Sequence, residues 1–193
     1  ATEEEGVYEL VVKIEIPDPD PPIVTPYGNI PAEYADVTKY PVIVFKNGEY
    51  YGNATTLYAG AYTGMALALL KESADNVVVI LLRTDLTEAP AGSIGSYEMK
   101  GKLIIDLGGN TFTREGVFFD LTVRASYVFD TTILVKNGTI LSYNGAIIAS
   151  QYENNANLAN KVFNVTFDNV DFGYAAGATS TTPFYSVWDN SRN

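Results

Sequence analysis

The chain has 193 residues, a net charge of -11 and a pI near 4.3; 47% of its residues are hydrophobic and only 18% charged. That length and composition support a sizeable folded core, while an acidic balance with no basic run excludes a nucleic-acid surface, which needs clustered Lys and Arg. Cysteine and histidine are both absent, which removes disulfides, thiolate chemistry, a Ser-His-Asp triad and the commonest metal ligand.

In chain order, residues 7 to 16 (VYELVVKIEI) place Tyr8, Leu10, Val12, Ile14 and Ile16 on one side and Glu9, Val11, Lys13 and Glu15 on the other. Period-two alternation of this kind predicts a half-buried strand that needs a partner. The proline run at 17–22 (PDPDPP) predicts a semi-rigid linker, in which Asp18 and Asp20 keep the segment solvated rather than bind calcium. Residues 1–26 form an N-terminal strand and linker, 27–57 a hairpin region, and 58–193 the main body. Within the hairpin region, 41–51 (PVIVFKNGEYY) carries Asn47-Gly48, the pair favoured in a tight turn. From Tyr58 to Ala74 the period becomes helical, with Tyr62, Met65, Ala66, Leu69 and Leu70 on one face.

Beyond the helix one plan recurs. Leu103, Ile105, Leu107 and Phe112 alternate through a Gly-Gly turn; the spacing returns as Thr131, Ile133, Val135, Ile140, then as Phe163, Val165, Phe167, Phe172, and upstream as Val77, Val79, Leu81, Leu86. A repeat of 20 to 50 residues predicts a solenoid. Aligned this way, Ile105, Ile133 and Val165 share one inward file, and Leu107, Val135 and Phe167 the next. The turns carry Gly109, Asn137 and Asn169 at one position, where Asn and Gly tolerate a left-handed backbone and stacked Asn amides can bond between strands.

The segments IIDLGGNTF, ILVKNGTI and VTFDNVDF, preceded by a helix and strand, resemble the N-terminal coils of right-handed parallel β-helices of the pectin-lyase-like superfamily, over about residues 58 to 193. The resemblance implies an all-β solenoid with an N-terminal amphipathic capping helix and a small strand and hairpin element. It also implies an extracellular or cell-surface setting and carbohydrate as the usual ligand. The chain is then expected to stop before the last coils.

Candidate sites are few. Asp168 and Asp171, with Asp106 nearby, form the best carboxylate group, suited to calcium or to an acid pair. The lyases of the superfamily also need an arginine base and the polygalacturonases histidine. Here histidine is missing, and Arg83, Arg114, Arg124 and Arg192 sit in no motif. No catalytic residue is therefore assigned, and no cofactor beyond optional calcium is expected. Tyr143, Tyr152, Tyr174 and Trp188 are the candidates for stacking on a sugar. The sequence favours a non-catalytic structural or adhesion protein that assembles through strand 7–16, with polysaccharide as a further partner. Its competitor is the N-terminal part of a polysaccharide lyase or hydrolase. For strand 7–16 itself, hairpin 41–51 and a neighbouring copy are the two expected partners.

Overall fold

The computed structural model describes residues 21–89, 92–95, 99–120, 132–143, 148–152, 164–179 and 185–189. Its main sheet is mixed and eight-stranded, runs mostly parallel, and packs against one 16-residue helical segment. A small antiparallel pair, β1 (Ile23–Thr25) and β2 (Gly28–Ile30), comes first. A 3-10 turn, Ala32–Tyr34, then leads to β3 (Val42–Lys46) and β4 (Glu49–Ala54). As predicted, β3 and β4 form an antiparallel hairpin turned at Asn47 (φ 52°) and Gly48 (φ 87°). Both angles are positive, as a tight turn of matching twist demands.

The helical segment, α1, is π-helical over Leu57–Ala66 and α-helical over Leu67–Glu72. Thr56 caps its start by accepting the Gly60 N–H at 2.8 Å. Gly60 is required there, because a Cβ would lie 2.7 Å from the Ala54 Cβ. The predicted apolar face is the one buried: Tyr62, Ala66, Leu69 and Leu70 join a core with Val78, Ile80, Leu103, Ile105, Ile133 and Val135, and Met65 packs at its border.

After the helix come β5 (Val77–Leu82), β6 (Leu86–Glu88), β7 (Ile94–Gly95), β8 (Lys102–Asp106), β9 (Thr111–Arg114) and β10 (Phe119–Asp120). The last four are β11 (Thr132–Ser142), β12 (Ile148–Tyr152), β13 (Asn164–Tyr174) and β14 (Tyr185–Asp189). The main sheet runs β4-β3-β5-β8-β11-β9-β6, with β13 on β11; β14-β12-β10-β7 form a second, parallel sheet.

These pairings overturn the expectation of an all-β right-handed parallel β-helix, and with it the likeness to the pectin-lyase-like superfamily. The fold is mixed α/β and no solenoid is formed. The physical reason lies in what alternation measures. A strand with one apolar face has the same period whether its neighbours stack as coils or lie side by side in a sheet. Here β3 enters antiparallel to β5 and extends the sheet through the hairpin, which the repeat did not contain. The helix packs its apolar side on the sheet and does not cap a stack.

The register also differs from the aligned columns. Leu103, Ile133 and Val165 are partners, as are Ile105, Val135 and Phe167; Leu107 lies in the bend after β8. Four residues, 107–110, join β8 to β9, whereas β11 crosses the same bend through Asn137-Gly138. Pairing after the bend keeps the predicted columns, with Phe112 opposite Ile140 and Ile140 opposite Phe172. A two-residue slip preserves the faces. Upstream the slip is one residue: Val78 and Ile80, opposite Leu103 and Ile105, enter the main core in place of Val77, Val79 and Leu81, because a slip of one inverts every side chain.

The other face is covered too. Ile43, Phe45, Val79 and Ile104 pack under Ile23, Ile30, Tyr27, Tyr34, Tyr40 and Tyr50. Arg83 fixes that cover by donating to the Tyr34 and Ala35 carbonyls at 2.6 and 2.8 Å. Strands β3 and β5 are consequently apolar on both sides, which explains their near-continuous hydrophobic runs.

Candidate functional site

The edge of β13 offers a candidate interaction surface. Among the described residues β13 pairs with β11 alone. Its inward residues Val165 and Phe167 are only half-buried, although their partners Ile133 and Val135 are fully buried. Val165 and Phe167 both pack against the main core, Phe167 with its ring 5.5 Å from Phe119, yet each keeps part of its surface exposed at this strand. Among the described residues no strand pairs with the far edge of Asn164–Asp168, and such an edge beside a half-exposed apolar row is the ordinary template for strand addition.

Asp168 and Asp171 are both exposed on β13, opposite Lys136 and Thr139. Asp106 shares a row with Asp168, but Lys136 stands between them. Among the described residues no three acids are grouped to hold a metal ion. Asp106 faces away from the main core, as expected, yet it is buried because Tyr27 closes over it. Its carboxylate accepts the Tyr27 hydroxyl, the Gly108 N–H at 2.9 Å and the Asn137 amide at 3.2 Å, and lies 3.9 Å from Lys136 Nζ. Burial first, and then the Asp106 bond, raise the Tyr27 pKa; the bond to Tyr27 raises that of Lys136. Such a cluster clamps the β1–β2 pair to the sheet. The predicted amide ladder is present in part: Asn169 donates to Asn137 at 3.4 Å, and both bend residues have positive φ, 53° and 58°. Beyond Asn137 the ladder passes to Asp106, while Gly109 gives its backbone N–H to the Asn137 carbonyl.

Tyr143 and Tyr174 are exposed at the end of β11 and β13. Tyr152 and Trp188 lie at positions of β12 and β14 opposite Asp189 and Gln151; their side chains lie outside the description. The assembly strand, Tyr8, Leu10, Val12, Ile14 and Ile16, lies outside the described residues altogether. Hairpin 41–51, one of its two expected partners, has β3 already flanked by β4 and β5, so β4 is its outer strand.

Sequence reasoning missed a buried polar file. Glu88, Arg114 and Ser142 are register partners, each two residues beyond the apolar file Leu86, Phe112, Ile140. All three are buried, Arg114 to 3% exposure. Glu88 accepts the backbone N–H groups of Leu57 and Tyr58, the first of α1, where a carboxylate suits the helix dipole. Burial raises the Glu88 pKa and lowers that of Arg114. Arg114 donates through Nη2 to the Gly92 carbonyl and lies 5.5 Å from the Tyr58 ring and 5.7 Å from Phe118. Its Nε and Nη1 have no partner among the described residues. Continuing the alternation by two positions would have placed both charges inward.

No family model, curated protein or solved structure matches this chain.

Proposed function

We propose that this chain is a non-catalytic structural module that assembles with copies of itself, in which the N-terminal strand 7–16 of one copy adds to the β13 edge of the next. The observation that carries this reading is the partly exposed row on β13, Val165 and Phe167, beside an edge that has no strand partner among the described residues. Segment 7–16 supplies what such an edge lacks: an alternating strand whose apolar side would cover the row. Its prolines, starting at Pro17, end the strand cleanly because they cannot continue a ladder.

Sedimentation of the intact chain and of a variant lacking residues 1–16 tests the reading. Concentration-dependent oligomers from the intact chain and a folded monomer from the truncated one are expected. A truncated chain that still assembles would refute it, as would an intact chain that stays monomeric at all concentrations. A truncated chain that loses stability while the intact one is monomeric would assign strand 7–16 to its own hairpin.

A further inference from the structure

Asp168 is exposed on the straight half of β13, with Lys136 opposite it on β11 and, among the described residues, no strand on its other flank. A cation arriving from that side would place Asp168 between two positive charges. Segment 7–16 contains a single one, Lys13, flanked by Glu9 and Glu15. On the assembly reading, we propose that residues 9–13 of a second copy lie parallel to Asn164–Asp168 with Lys13 opposite Asp168.

Parity and charge together select this register. Lys13 opposite Asp168 sets Val12 on Phe167 and Leu10 on Val165, so both apolar residues cover the half-exposed row. A shift of one turns them to the other face. A shift of two brings either Glu15 against Asp168, with like charges directly opposed, or Val11 into the charged row. Running antiparallel, with Lys13 kept at Asp168, Ile14 and Ile16 would meet Phe167 and Val165, and Pro17 would enter the ladder opposite Asn164 without an N–H to give. The parallel arrangement pairs five residues and leaves the prolines beyond the bend at Asn169.

The experiment is a charge exchange in the full chain. Lys13→Glu and Asp168→Lys should each weaken assembly about three- to tenfold, and the double variant should return to within about twofold of the original. Circular dichroism should be unchanged, since Asp168 is exposed. Because the chain has no cysteine, the direction can be read from engineered disulfides: Val11→Cys with Thr166→Cys should cross-link between copies, and Glu15→Cys with Thr166→Cys should not. Failure of the double variant to recover, while deletion of residues 1–16 still abolishes assembly, would overturn the register and leave the assembly reading intact. The reverse cross-link would overturn the parallel direction, and a cross-link within one chain would overturn the second copy as occupant. Assembly that survives the deletion would refute both readings.

Discussion

Glu88 and Arg114 show how a charge enters this core only when the backbone around it is arranged to receive it. Glu88 holds the first N–H groups of α1, and Arg114, on the neighbouring strand, opposes its charge across the sheet. Glu88→Ala leaves the guanidinium uncompensated and uncaps the helix, so urea titration should show a loss of about 3 to 5 kcal/mol. The pH dependence has a definite sign. Burial raises the folded-state pKa of Glu88 above the unfolded value, so stability linked to its proton is full below the unfolded pKa and is lost as pH rises through the folded one. Glu88→Gln does not titrate, and the wild-type advantage over it should therefore shrink from pH 4 to pH 7. An advantage that grows over that range would mean that the helix N–H bonds and Arg114 outweigh burial. Both residues were readable in principle, because each follows an inward apolar residue by two; what alternation could not supply was the helix start waiting above Glu88.

The faces of β8, β11 and β13 followed from alternation, and the turn at Asn47-Gly48 from its residue pair. Register did not follow, because it depends on how many residues each chain segment spends in its bend: residues 107–110 between β8 and β9, against Asn137-Gly138 within β11. That tight crossing makes a prediction. A Cβ on Gly138 would lie 2.5 Å from both the Asn110 carbonyl oxygen and the Leu107 Cβ, so Gly138→Ala must displace backbone and should lower the unfolding midpoint markedly. Ile133→Asp places a charge at a fully buried position between Leu103 and Val165 and should abolish cooperative unfolding in a thermal scan. The clamp over Asp106 is milder: Tyr27→Phe deletes one hydrogen bond to a buried carboxylate, at a cost of about 1.5 to 3 kcal/mol. Faster hydrogen exchange confined to β1 and β2 would verify that Tyr27 fastens this pair; unchanged exchange there would contradict it.

The described residues form a main mixed sheet with the helix on one face and a tyrosine-rich cover on the other, beside a second, parallel sheet, and β13 of the main sheet has β11 as its one partner among them. Repeated alternation suggested coils because parallel neighbours in a sheet and successive coils impose the same pattern of inward residues; the antiparallel entry of β3, a contact between distant segments, was not written in that pattern. The partial exposure of Val165 and Phe167 was equally unreadable, since they have the same inward spacing as the fully buried Ile133 and Val135. Hydrogen–deuterium exchange at β13 over a range of protein concentrations tests the central claim most directly. Strand addition predicts that edge-facing amides of Asn164–Asp168 exchange quickly in dilute solution and become protected as concentration rises, in step with protection of residues 9–13. Exchange at both segments that is independent of concentration would contradict it.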